Sequence, residues 1–229
     1  MIEHSVHSPP DAVGIRAIAR SFHNRWIQGY ARGKLSTDPA FAAVVTEIGA
    51  HPAPVLDIGC GIGLLGHYLR ATGVDSEYLG IDADARKIAA ARAGAGWRLR
   101  LDFEHASAEA MPRWRGHVVM LDMLHYLERE RQQSLLAQAA GHVGPGGTLF
   151  VRNVLRDSTW RFQVTRAEEA LLRCSRWIRV PTRHYPSAED IHGVLAGSGL
   201  SVSIAPLWGR TPFNSYMIRG RRPVADPRP

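Results

Sequence analysis

Residues 54–63 read Pro-Val-Leu-Asp-Ile-Gly-Cys-Gly-Ile-Gly, and no other stretch of the chain restricts its fold so tightly. A short apolar strand ends in an acid, Asp57. Three glycines follow at alternate positions, Gly59, Gly61 and Gly63. Leu64, Leu65, Tyr68 and Leu69 then fall on one face at helical spacing. Strand, glycine turn and helix together let backbone approach a nucleoside-containing ligand with no side chain in the way. Asp82 stands at the end of the next apolar run, 78–82. A carboxylate at that point can accept both hydroxyls of a ribose.

From residue 54 onward, strand and helix signals alternate. Strands are expected at 55–58, 78–82, 97–101, 117–121 and 148–154. Helices are expected from Gly63 to Gly73, from a cap at Asp84 to near Gly94, and through Leu135, Leu136, Ala139, Ala140 and Val143. Alternation of this kind implies a parallel sheet with right-handed crossovers. The C-terminal third breaks the pattern. An Arg- and Trp-rich segment, 156–186, reads as a helical insert around 167–174. Ser187-Ala-Glu-Asp190 starts a further helix as a capping box. Runs 200–206 and 214–220 have no helix between them and should pair antiparallel. Before the first strand, one helix is expected from Asp11 to about Gly33, and a second from Thr37-Asp38-Pro39 to Gly49. The division follows: N-terminal helices over 1–53 covering the site, a ligand-binding domain over 54–221, and a loose tail over 222–229. Residues 1–10 are also expected to be loose.

Composition narrows the class. The chain has 229 residues, 45% of them hydrophobic, as expected of one globular domain with appendages. No apolar run approaches membrane-spanning length. The first residues carry no secretory signal pattern. Cys60 and Cys174 have neither CxxC nor Cys/His metal spacing, so no metal site is expected and a reduced, cytoplasmic setting fits. The formal charge is +7, and Lys34 and Lys87 are the only lysines among the 28 basic residues. Such a field can steer an acidic carrier protein, an anionic small molecule or nucleic acid. No nucleic-acid-binding pattern accompanies it, which disfavours the last. Oligomeric state is not legible.

Two cofactors fit the glycine turn. Gly61-Ile-Gly63-Leu-Leu-Gly66 satisfies the dinucleotide fingerprint GxGxxG, which would make the chain a NAD-type oxidoreductase. Against that, Asp57 precedes the first glycine by two residues. An acid there repels a pyrophosphate but favours an ammonium. The arrangement Asp57-x-Gly59-x-Gly61-x-Gly63 resembles motif I of the class I S-adenosylmethionine (SAM) methyltransferases. A SAM-binding module without catalysis is a third reading.

The resemblance implies a Rossmann-like fold: a mostly parallel seven-stranded sheet with an antiparallel last strand and helices on both faces. It also implies SAM as cofactor and a small-molecule acceptor. Carried over by position, Asp57, Gly59, Cys60, Gly61 and Gly63 form the turn around the cofactor, and Asp82 with Ala83 meets the ribose. Ser107 and Ala108, in the loop 105–112, stand at the family's adenine segment, where Ser107 replaces a common Asp. Asp122, in the motif IV position, faces the methionyl end or the substrate. His125 and Tyr126 follow as candidate bases for an acceptor proton. No Asn-Pro-Pro-Tyr follows the fourth strand, and no cluster of acids suggests a metal-assisted reaction. Trp160, Phe162, Trp177, His184, Tyr185 and Trp208 could form a slot for an aryl ring. Arg152, Asn153, Arg156 and Arg161 could hold a carboxylate.

Segments 25–35, 121–127, 158–161 and 206–216 are further similar to methyltransferases that accompany aryl-polyene pigment pathways. That similarity implies an aryl head group as acceptor, free or attached to an acidic carrier protein.

Overall fold

Seven strands form one sheet in the order β3-β2-β1-β4-β5-β7-β6. The strands are β1 (Val55–Ile58), β2 (Tyr78–Asp82), β3 (Leu101–His105), β4 (His117–Leu121), β5 (Thr148–Val154), β6 (Ser201–Pro206) and β7 (Ser215–Arg221). The first five are parallel, and β7 runs antiparallel to both β5 and β6. This is the expected methyltransferase sheet. The computed structural model describes residues 10–96, 100–174, 182–209 and 212–224. The expectations for residues 1–9, Trp97, Trp177 and the tail beyond 224 lie outside the described residues.

Alternation along the strands distributes side chains to the two faces. On one face Val55, Val119 and Phe150 pack with α1 (Ala12–Arg20), α2 (Arg25–Thr37), α3 (Pro39–Ala50), α4 (Leu64–Ala71) and α5 (Ala85–Ala95). On the other, Leu56, Met120 and Val151 pack with Leu135 and Leu136 of α6 (Arg129–Gly141) and Ile191 and Leu195 of α8 (Ala188–Gly197). Between β5 and α8 lies α7 (Trp160–Cys174), longer than the 167–174 helix expected.

Two further expectations are corrected. The helix expected from Asp11 to Gly33 is two helices. Asn24, in extended conformation, turns its Oδ1 to the Trp26 N–H at 2.8 Å, and so caps a new start at Arg25. The third strand lies at Leu101–His105 rather than 97–101. It pairs Leu101 with Tyr78 and buries only Leu101 and Phe103. Charged outward residues alternate with those two, so only two apolar positions mark this edge strand.

Sheet order reverses between β1 and β4, both of which connect onward to opposite sides. Ligands of open α/β sheets sit beyond the carboxyl ends of the strands at such a point.

Candidate active site

A cavity of about 460 Å³ opens at this reversal. Its floor is the glycine turn. The Gly59 and Cys60 N–H groups donate to the Ile81 carbonyl, at 2.8 and 3.0 Å, which ties the turn to β2. Gly61 has φ +60, and a Cβ placed on it would meet nothing within 4 Å, so its bare backbone faces the open cavity. Gly63 is needed for a different reason. It has φ +75, and its Cβ would lie 2.3 Å from the Phe103 ring. One glycine serves the cavity and the other the packing of α4 onto the sheet.

Asp57 is buried on β1, and the Tyr78 hydroxyl donates to its Oδ2 at 2.5 Å. Burial raises this carboxyl to about 7; the Tyr78 hydrogen bond opposes the rise and neighbouring Asp82 adds to it. Asp82 Oδ2 accepts the Gly61 N–H at 2.9 Å, and its Oδ1 accepts the Asp84 N–H at 2.8 Å. Each oxygen keeps a further lone pair for a ligand hydroxyl. The Lys87 ammonium stands 3.9 Å away.

The opposite wall is ionic. Asp122 follows β4 with φ +56, a left-handed conformation that side chains rarely adopt. Its N–H donates to the Arg152 carbonyl at 2.9 Å. Its Oδ2 accepts from Lys34 Nζ at 3.1 Å and from Arg152 Nη1. Asp38 Oδ2 receives the same two cations, each at 2.8 Å. Two cations and two carboxylates thus balance. Burial alone would depress the Lys34 ammonium, but Asp122 and Asp38 hold it well above its ordinary value. Burial would likewise raise Asp122, but Arg152 and Lys34 hold it below the usual carboxylate range.

His125 lies in a short 3-10 turn, Leu124–Tyr126, 6% exposed and lining the cavity. Its Nδ1 is 2.9 Å from Oδ1 of Asn153, a residue with no solvent exposure. The Asn153 amide nitrogen donates to the Val154 carbonyl at 2.8 Å, so its oxygen is the atom turned to the ring. Nδ1 therefore carries a proton, and the neutral ring has its lone pair on Nε2. Tyr126 packs beside it at 4.1 Å between ring centroids, and Tyr185 stacks near-parallel at 6.5 Å.

Of the residues expected at the site, Asp57, Gly59, Cys60, Gly61, Asp122, His125 and Tyr126 line this cavity. Gly63, Asp82, Ala83, Ser107 and Ala108 do not, although Asp82 touches its floor through Gly61. Ala83 and Ser107 are exposed at the strand ends. The expected aryl slot is also redrawn. The aromatic residues of the cavity wall are Tyr30, Phe41, Tyr126 and Phe213. Phe162 stacks edge-on against Tyr185, and Trp160 and Trp208 pack on the Arg161 guanidinium at 4.9 and 4.4 Å. Arg152 lines the cavity, but Asp38 and Asp122 already hold its Nη1. Arg156 and Arg161 do not reach the cavity, and Asn153 sits behind His125.

Sequence reasoning missed Tyr30, Lys34 and Asp38, which arrive from α2 and the start of α3. One signal was present. In a chain that otherwise uses arginine, both lysines, Lys34 and Lys87, stand on this cavity.

These features suit SAM. A bare backbone floor meets Asp82 at one end, and a wall of paired charges at the other matches a methionyl group with one carboxylate and one ammonium. The volume lies within the ordinary range for small-ligand sites.

Comparison with known proteins agrees. Residues 55–147 match the family described as a methyltransferase domain. The chain is 29% identical over 186 residues to a ubiquinone biosynthesis O-methyltransferase of Sinorhizobium medicae, covering 74% of this chain and 73% of that protein. Its fold matches magnesium protoporphyrin IX methyltransferase from Synechocystis PCC 6803 with bound SAH, the demethylated form of SAM. There the TM-score is 0.65 at 16% identity, over 92% of this chain and 94% of that one. It also matches an O-methyltransferase family protein from Burkholderia thailandensis, with a TM-score of 0.62 at 22% identity, over 97% and 66%. The dinucleotide reading of Gly61–Gly66 falls with these matches.

Proposed function

We propose, from the premise that this chain is a class I S-adenosylmethionine-dependent methyltransferase, that its acceptor is a hydroxyl on an aryl ring. One observation carries the reading: His125 is locked by Asn153 in the tautomer that leaves Nε2 unprotonated on the cavity. Bound SAM supplies a methyl group made electrophilic by its sulfonium. What a phenol requires of the protein is the removal of one proton, from oxygen to His125 Nε2, as the carbon–oxygen bond forms. An aryl amine, neutral at pH 7 with its lone pair free, or a carboxylate needs no such base to attack.

The other residues hold and orient. Asp82 accepts the ribose hydroxyls, and Gly59 to Gly61 admit the cofactor against bare backbone. Asp57 and Asp122 favour the methionyl ammonium, and Lys34 its carboxylate. Tyr30, Phe41, Tyr126 and Phe213 give the ring flat apolar walls and exclude water. With Lys34 given to the methionyl carboxylate and Arg152 held by Asp38 and Asp122, this wall keeps no cation for a free carboxylic acid on the acceptor. That favours an acceptor whose acid is absent or masked as an ester or thioester, including an aryl group held on a carrier protein. Cys60 is a free thiol beside the turn, which suits a reducing cytoplasm. The relatives named ubiquinone biosynthesis O-methyltransferases support transfer to oxygen.

The test is transfer of an isotopically labelled methyl group from SAM to a panel of phenols, benzoic acids and aryl amines, with products identified by mass spectrometry. Label in an aryl ether, abolished by His125→Ala, is the expected result. Label in a carboxylate ester or on nitrogen would overturn the reading.

A further inference from the structure

The segment from Ala12 to Thr37 contains Arg16, Arg20, Arg25, Arg32 and Lys34 and no acidic residue. The four arginines are exposed, on two helices packed against each other. The outward arc of α2 has a definite order at 3.6 residues per turn. Arg32 and Arg25 come first, then Gly29 and Gly33, then Trp26 and Tyr30. Next round the helix is Lys34, which turns into the cavity. A Cβ built on Gly29 or Gly33 meets nothing within 4 Å. Trp26 and Tyr30 stack with rings 5° from parallel and remain 61% and 47% exposed. The face is thus a shallow trough with a basic bank, a glycine floor and an aromatic bank. Tyr30 of that aromatic bank also lines the cavity.

We propose that this trough docks an acidic α-helix of a carrier protein, which delivers the acceptor on a flexible arm past Tyr30 into the cavity. This rests on the reading of the acceptor as an aryl group that can be carrier-bound. Two glycines one turn apart let a second helix approach closely, with its ridge between the banks. Four arginines without an acid among them complement an acidic helix and repel a basic one. Exposed Trp, Tyr and Arg are the residue types that anchor protein interfaces. A membrane surface fits less well. Binding there scales with inserted apolar area, and the centre of this face is glycine.

The experiment uses the full chain saturated with S-adenosylhomocysteine. The probe is a fluorescently labelled bacterial acyl-carrier protein bearing a 4-hydroxybenzoyl group on its phosphopantetheine arm. Anisotropy gives its affinity for the wild type, for Gly29→Leu and for Arg25→Glu with Arg32→Glu. Leucine is a good helix former and fills the floor without touching the fold. Each variant should weaken carrier binding at least tenfold, raised salt should do the same to the wild type, and turnover of a free phenol should be unchanged. Carrier binding that is absent, or indifferent to both variants, would overturn the proposal. So would sedimentation with vesicles of 30 mol% phosphatidylglycerol that depends on Trp26 and ignores Gly29→Leu. Free-phenol turnover is read separately, so failure of the aryl-hydroxyl reading is distinguishable from failure of docking.

Discussion

Around the glycine turn, the contacts that shape the cavity join residues 21 positions apart, Gly61 to Asp82 and Asp57 to Tyr78. Across the cavity, Lys34 reaches Asp122 over 88 positions and Arg152 reaches Asp38 over 114. The first wall belongs to one strand–helix–strand unit and works largely through backbone N–H groups. The second is assembled from α2, the start of α3, β4 and β5, and works through desolvated side-chain charge. The difference teaches where each wall is fragile. The turn fails when backbone geometry is disturbed, and the ionic wall fails when charge balance is disturbed.

The largest effect should come from His125→Ala. Loss of a general base lowers kcat by about 10²–10⁴-fold. S-adenosylhomocysteine affinity should stay unchanged, since the role proposed for His125 lies on the acceptor side. Single-turnover rates beside titration calorimetry check this. A matching loss of affinity would place His125 on the cofactor rather than the acceptor.

Next is Arg152→Met, which strips a partner from the buried Asp38 carboxylate and from the partly exposed Asp122. Breaking a buried pair from one side costs about 3–5 kcal/mol. At roughly 2–4 °C per kcal/mol for a domain of this size, the melting temperature should fall by about 6–20 °C. Adding Asp38→Asn and Asp122→Asn should recover most of the loss. If the triple variant is no better than the single one, the wall is held by packing rather than by charge.

A third contrast uses pH. The Asp57 carboxyl sits at about 7, well above its unfolded value, so the folded chain holds this proton more tightly. The apo fold therefore loses stability as pH rises from about 4 to 7. A cationic ligand end prefers the ionised form, so S-adenosylhomocysteine should bind about tenfold more tightly at pH 8 than at pH 6. Asp57→Asn should flatten that dependence, as measured by calorimetry at several pH values.

The smallest and sharpest test is Asn153→Asp. A carboxylate against Nδ1 favours the imidazolium, so the acid limb of the pH–rate profile should move to higher pH while cofactor affinity holds. A merely structural role for Asn153 would change stability and leave the limb in place.

The same contrast explains what was legible in the sequence. Asp57, Gly59 and Gly61 could be read as cavity residues because a turn that bares its backbone leaves a local signature, glycines at alternate positions between an acid and a helix. The sheet was legible for a similar reason, since β1, β2, β4 and β5 are runs buried on both faces. β3 was misplaced because an edge strand with Asp102 and Glu104 facing outward carries little apolar signal. Lys34 and Asp38 were missed as site residues because nothing near them in sequence says that they face Arg152 and Asp122. Arg152 was weighed as a carboxylate holder, which only the position of Asp38 could correct. Asn153, weighed in the same way, bonds His125 instead, a pairing that only the neighbouring β-strand ends bring about.

The most direct test of this division is the affinity for S-adenosylhomocysteine of Asp82→Ala and His125→Ala, measured side by side by calorimetry. Asp82→Ala should weaken binding at least tenfold, and His125→Ala should match the wild type. Equal losses in both, or an unchanged Asp82→Ala, would contradict the assignment of Asp82 to the cofactor and of His125 to the acceptor.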